Sequence, residues 1–202
     1  AVRMGIKGAP PSVNASAIDF GVRDGVIFYS LAALKNVGVG AIQHLIATRE
    51  AGGRFTSLGD FARRVQGSTL NKRALESIAK AGAFDEINAN RAQVLAGVET
   101  IIATSSRTSA EADAGQNDLF GAATGTKEEL VLPLRDVWLP MERLSQEFEA
   151  VGFYLSGHPL DDYMKPLAKL GVDTWAAFQH KALTKGASAG KLAGTITHRQ
   201  ER

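Results

Sequence analysis

Gly38, Val39 and Gly40 lie between two apolar stretches, with Leu31 and Leu34 before them and Ile42, Leu45 and Ile46 after them at helical spacing. Two glycines two apart let a backbone turn sharply and present its N–H groups with no side chain in the way. A second helix starting at about Gly40-Ala41 would point its unpaired N–H groups and the positive end of its dipole outward at the turn. That combination binds phosphate. Lys35 is close enough in the chain to add a positive charge.

The elements needed to position these groups are two short helices joined by the Gly-Val-Gly turn. This pattern resembles the helix-hairpin-helix element, which grips nucleic-acid backbone without reading sequence. The alternative is an ordinary corner where two helices pack.

The rest of the composition narrows the setting. The chain has 202 residues, enough for one or two domains, and 45% of them are hydrophobic. It has no cysteine, which excludes a disulfide framework, a thiolate metal site and a thiol nucleophile, and fits a reducing cytoplasm. No apolar run approaches the ~20 residues that span a membrane. The start, Ala1-Val2-Arg3-Met4-Gly5-Ile6-Lys7, lacks the apolar core of a signal peptide and an initiator Met, so a piece of a longer protein is expected. Net charge is +2 overall but uneven: +5 over residues 1–110, −6 over 111–170 and +3 over 171–202. The hairpin thus lies in a modestly basic half.

Along the chain, residues 9–15 read as an extended loop. Ile18–Val22 and Val26–Tyr29 read as short strands around an Asp24-Gly25 turn. Gly52-Gly53 closes the second hairpin helix. Ser57 caps a short helix, with Asp60 three residues on and Leu58, Phe61, Ala62 and Val65 buried; Arg63 and Arg64 are expected to face outward. Asn71 caps a helix ending at Gly82, and Asn90 caps another running from Arg91 to about Thr104. This helix, glycine turn and helix reads as a degenerate second copy of the hairpin unit, mainly structural in role. Residues 105–127 turn small, polar and glycine-rich, the composition of a flexible linker, yet contain Leu119-Phe120. Two large apolar residues there suggest a peptide that docks on a partner. A helix begins at Pro140, with Met141, Leu144, Phe148 and Val151 on one face and Glu142, Glu147 and Glu149 elsewhere. A helix-loop-helix around Gly171 and a strand-like Lys191–Thr197 follow.

Four segments occur in a telling order: Pro10–Ser16, Gly38-Val39-Gly40, Asn71-Lys72-Arg73 through Gly82-Ala83-Phe84-Asp85, and Glu149–Asp161 with its Gly-Phe-Tyr-Leu-Ser-Gly-His-Pro string. Together they resemble the C-family replicative polymerases of bacteria, the alpha subunits of DNA polymerase III. The resemblance implies a mainly α fold: a tandem helix-hairpin-helix module preceded by a short β-hairpin, then a linker, a helical segment and a truncated OB-like β start. The implied domains are the end of the fingers (1–20), the tandem module (21–104), a linker with a clamp-binding peptide (105–136), a helical connector (137–184) and the start of an OB-fold (185–202).

The same resemblance implies that duplex DNA contacts Lys35, Asn36, Val37, Gly38, Val39, Gly40 and Ala41, beside a monovalent cation. Gln116, Asp118, Leu119 and Phe120 would belong to a pentapeptide that binds the sliding clamp, the beta subunit. Other polymerase III holoenzyme subunits would be partners, and no membrane. The location would be the bacterial cytoplasm. Catalytic aspartates and their Mg2+ would lie upstream in the parent enzyme, leaving this stretch without catalytic residues, metal site or cofactor of its own.

Nothing else in the chain suggests chemistry. Asp161-Asp162 are adjacent rather than Asp-x-Asp, and read as a solvated loop. His158 reads as a turn residue; His44, His180 and His198 lack metal-site spacing. There is no P-loop or dinucleotide fingerprint. The alternatives are an error-prone polymerase of the same family, a helix-hairpin-helix repair enzyme, and a protein scaffold in which Gly38-Val39-Gly40 is only a corner.

Overall fold

Asp24 and Gly25 both take positive φ, 52° and 72°, in the computed structural model, which describes residues 7–67, 69–113, 130–186, 188–196 and 200–201. Positive φ at both central residues is the two-residue turn whose twist suits a hairpin. It joins β2 (Gly21–Arg23) to β3 (Val26–Phe28) in antiparallel register, Arg23 opposite Val26. A strand the sequence did not announce, β1 (Lys7–Ala9), pairs with β3 in parallel, giving the order β1-β3-β2. Ile18–Phe20 stay outside the ladder.

Eight α-helices follow among the described residues, and local signals set their ends. α1 (Val39–Gly52) stops where Gly53 turns to φ 74°. α2 (Leu58–Arg64) starts at Ser57, whose hydroxyl accepts from the Asp60 amide at 3.0 Å, while the Asp60 carboxylate accepts from the Thr56 amide at 3.0 Å. Asn71 caps α3 (Lys72–Lys80) and Asn90 caps α4 (Arg91–Ala96), each side chain accepting from the third residue on. Pro140 opens α6 (Pro140–Val151), and left-handed Gly152 closes it.

The helix expected from Arg91 to Thr104 breaks at Gly97 and resumes as α5 (Val98–Asp113), nine residues into the expected linker. Ser105 ties the start of this polar stretch to the first unit. It is buried, and its hydroxyl donates to the Val65 carbonyl of the α2 end.

The chain divides into two compact units, residues 1–155 and 156–202. In the first, Phe55, Phe61 and Phe84 stack edge to face at 5.1 and 4.9 Å in the middle of one apolar core. The loop between β1 and β2 is nailed to this core. The Asn14 side chain donates to the Phe55 carbonyl and accepts from the Phe55 amide, at 2.9 and 2.8 Å. Arg49 donates to the carbonyls of Val13 and Ser16. Leu130 and Leu132 return onto the same core, and Leu132 fills the space that a side chain at Gly97 would take.

In the second unit a 3-10 turn (Asp161–Tyr163) leads into α7 (Met164–Lys169), and Gly171 at φ 69° leads toward α8 (Trp175–Lys185), capped by Thr174. The expected strand at Lys191–Thr197 does not form over Lys191–Ile196. Instead the Lys191 carbonyl accepts from the Asp173 amide at 2.9 Å. A single strand with no ladder beside it has nothing to hold it extended.

Asp60 ties local capping to pH. Burial alone would raise its carboxyl, but hydrogen bonds from Thr56 and the Arg64 guanidinium at 3.1 Å hold it below the ordinary carboxylate range. The folded value is the lower one, so the stabilisation is present above the unfolded value and is lost as pH falls through the folded one. Asp60→Asn should therefore cost about 1 kcal/mol at neutral pH and flatten the acid limb of a stability-versus-pH curve. An unchanged acid limb would assign that limb to other carboxylates.

Candidate nucleic-acid interface

The candidate turn is built differently from the expectation. Leu31 and Leu34 are buried as their spacing requires, but residues 31–36 form consecutive turns, not a first helix. The chain reverses at Asn36, at φ 64°, and not at a glycine. Gly38 is extended at φ −79°, ψ 144°, and neither Gly38 nor Gly40 has positive φ. The sharp bend the glycines were expected to supply is thus made by Asn36, a residue that tolerates the left-handed region.

What the glycines supply is clearance. A Cβ built on Gly38 or Gly40 meets nothing within 4 Å. Both face open space at the start of α1, where no side chain caps the helix and no acidic residue occupies the first turn. The first intrahelical bond runs from the Ile42 amide to the Gly38 carbonyl at 3.3 Å, so the Val39, Gly40 and Ala41 amides precede the ladder. Val37 is buried and anchors the turn from below, while Val39 is 51% exposed. An anion approaching here meets N–H groups, a helix dipole and no repelling carboxylate on the first turn.

The incoming limb has two internal turn bonds, from the Leu34 amide to the Leu31 carbonyl at 3.3 Å and from the Val37 amide to the Leu34 carbonyl at 3.4 Å, and takes others from neighbours. The Lys35 amide donates to the Ala150 carbonyl of α6 at 2.9 Å, and Asn36 Nδ2 reaches Ser77 Oγ of α3 at 3.5 Å. Asn36 is therefore tied to α3 through its side chain. The Lys35 side chain is exposed and passes beside Gly152 at the C-terminal end of α6.

The second glycine turn is closed. The amides of Ala81, Gly82 and Ala83 donate to the carbonyls of Ser77, Ala79 and Ile78, and the Ala83 carbonyl accepts from Val13. Gly82 sits at φ 82°, and the Arg91 guanidinium packs where its side chain would be. Its backbone is engaged and it offers no equivalent of the first turn.

Several basic residues prove to be structural. Arg64, expected to face outward, is turned inward. It donates to the carbonyls of Thr48 and Gly53 at 2.9 and 2.7 Å and lies over the Phe55 ring at 4.5 Å. Arg91 is 7% exposed between Asp85 at 2.7 Å and Glu147 at 2.8 Å. Burial works against its charge, but the hydrogen bonds with these two carboxylates overcome that and hold it above its ordinary value. Glu147, expected away from the packed face of α6, is fully buried, and Met141, expected on that face, is exposed. The signal for Glu147 was present in its spacing, three residues after Leu144 and three before Ala150.

Gln116, Asp118, Leu119 and Phe120 lie outside the described residues. In the second unit the Asp161 carboxylate accepts from the His158 amide at 2.6 Å, and His158 Nδ1 accepts from Leu160 at 3.1 Å, so both serve a turn. Among the described residues no helix is long and apolar enough to cross a membrane.

Residues 5–94 match the family model described as "Helix-hairpin-helix motif". The chain is 40% identical over 200 residues to the DNA polymerase III subunit alpha of Caulobacter vibrioides, a match covering 99% of this chain and 17% of that protein. It is 37% identical over 169 residues to the subunit of Vibrio cholerae, covering 82% and 15%. It is 35% identical over 208 residues to that of Deinococcus radiodurans, covering 96% and 15%. The chain spans about one sixth of the length of these curated relatives. With a match to the helix-hairpin-helix model at residues 5–94 and such identity over most of its length, the chain is similar to a segment of the DNA polymerase III alpha subunit.

Proposed function

We propose that this chain is the part of a replicative polymerase that grips duplex DNA without reading its sequence and tethers the enzyme to its sliding clamp. The observation that carries the first half is the uncapped start of α1, with exposed glycines on either side of Val39 and no acidic residue in its first turn. The amides of Val39, Gly40 and Ala41 would bind a backbone phosphate, with Lys35 adding charge. Phosphate contacts give affinity without base selection, which suits an enzyme that moves over every sequence. The polymerase names of the relatives support the setting. On this reading nucleotidyl transfer and its Mg2+ belong to other parts of the parent enzyme, which also meets the remaining holoenzyme subunits.

A monovalent cation at the turn would find main-chain carbonyls and no first-turn carboxylate, and the Gly38 carbonyl is already bonded to Ile42. The donor set is thin, and the reading uses no such ion.

The tethering half rests on the sequence Gln116-Asn117-Asp118-Leu119-Phe120. Two weak sites on one chain add through avidity. Duplex binding by the full chain should fall with salt, with a log–log slope of roughly −0.9 per phosphate contacted. Binding that ignores salt would favour the scaffold reading. Leu119→Ala with Phe120→Ala should weaken binding to the purified clamp at least roughly 30-fold, as for loss of a central apolar anchor, and leave DNA binding unchanged. Clamp retention equal to wild type would reassign the peptide.

A further inference from the structure

We propose that the buried Arg91–Glu147 pair positions the phosphate-binding turn, by holding α6 where its Ala150 carbonyl fixes the incoming limb at Lys35. The inference rests on the hairpin reading above and adds positioning residues to it.

The limb before Gly38 is a run of turns with two long internal bonds, at 3.3 and 3.4 Å, so its placement depends also on what it touches. Its hydrogen bond to α6 is the Lys35 amide to the Ala150 carbonyl at 2.9 Å. Ala150 lies three residues after Glu147, on the same packed face of α6. Glu147 is fully buried, and both of its oxygens are engaged. Oε1 accepts from Arg91 at 2.8 Å, with Arg143 at 3.6 Å, and Oε2 accepts from the Leu155 amide at 3.3 Å. Arg91 is held in turn by three hydrogen bonds to Asp85 beside the second glycine turn.

A line of contacts therefore runs from the closed turn to the open one: Asp85, Arg91, Glu147, Ala150, Lys35. None of the first three is at the DNA-facing turn itself. A buried pair of charges is often no more stabilising than packed apolar residues, and its best-attested service is to fix one arrangement. Here the arrangement fixed is the seat of α6 under the limb. The outer pair Lys80–Glu149 at 2.6 Å also joins α3 to α6, but Glu149 is 63% exposed, where such pairs contribute little. It serves as the control.

The test uses the full chain, a fluorescein-labelled duplex, and hydrogen exchange read at the Lys35 amide. Glu147→Gln should speed Lys35 exchange and weaken duplex binding, each by roughly tenfold, the size of an ordinary coupling between contacting groups. Glu149→Gln should change neither. Arg91→Met combined with Glu147→Leu, which keeps the volume without the charges, should restore both toward wild type.

A Glu147→Gln variant that unfolds more easily, yet keeps Lys35 exchange and duplex affinity within about twofold of wild type, would overturn the positioning role. Wild-type binding that is indifferent to Gly38→Val with Gly40→Val would instead remove the hairpin reading, and this inference with it. Lys35 exchange separates the two failures, because it responds to the seat of α6 whether or not DNA binds.

Discussion

Gly82→Ala is expected to lower the stability of the first unit by about 3–5 kcal/mol, a large share of what holds a domain of this size together. Two costs combine. A side chain at φ 82° is strained wherever it stands, by about 1–2 kcal/mol. A Cβ there would also collide with the Arg91 guanidinium. The end of a long side chain could ordinarily move aside. This one is 7% exposed and bonded to Asp85 and Glu147, so moving it leaves a buried carboxylate without its counter-charge. Urea unfolding followed by circular dichroism should show a lower midpoint with an unchanged slope. A loss below about 1 kcal/mol would mean that Arg91 has a second place to go.

Gly38→Val with Gly40→Val should do the reverse, leaving stability within about 1 kcal/mol while duplex binding falls roughly 30-fold. Neither glycine has positive φ, and a methyl group placed on either would have no neighbour within 4 Å, so the fold does not require them. Gly40 lies inside α1, where glycine is itself a poor helix former. The binding loss of about 2 kcal/mol is that of charge-assisted hydrogen bonds to one phosphate, blocked when branched side chains stand beside the amides. The salt slope should shrink by roughly one contact. If the variant binds duplex as tightly as wild type, the turn is a packing corner. The two sets of glycine substitutions thus separate a glycine kept for folding from glycines kept for approach.

Much of the helical layout was legible because capping is local. Ser57, Asn71, Asn90, Pro140 and Gly53 each act on residues within one turn, and each stands where its type predicts. The Asp24-Gly25 turn was legible for the same reason. Features set by distant partners were not. Leu31–Asn36 has an apolar spacing that suits a helix, but turn bonds and distant partners, Ala17, Ala150 and Ser77, replace a helical ladder. Arg64 and Glu147 read as surface charges until Thr48, Gly53 and Arg91 come within reach from 11 to 56 residues away. Ser105–Asp113 has a linker's composition, and one buried hydroxyl bonded to Val65 marks where the helix continues. At the candidate turn the exposed glycines were legible in the sequence, but the backbone geometry was not. Glycine spacing pointed to Gly38–Gly40, but Asn36 makes the bend.

α5 running on to Asp113 has a consequence for distance. Leu119 follows Asp113 by six residues, and six residues of fully extended chain cover only about 20 Å. A partner that bound Leu119 and Phe120 would be on a short leash, kept within roughly the width of a DNA duplex from the end of a helix that is rooted in the first unit. Had the helix ended at Thr104, the same peptide could have wandered more than twice as far. Nine helical residues would thus turn a roaming hook into a local one.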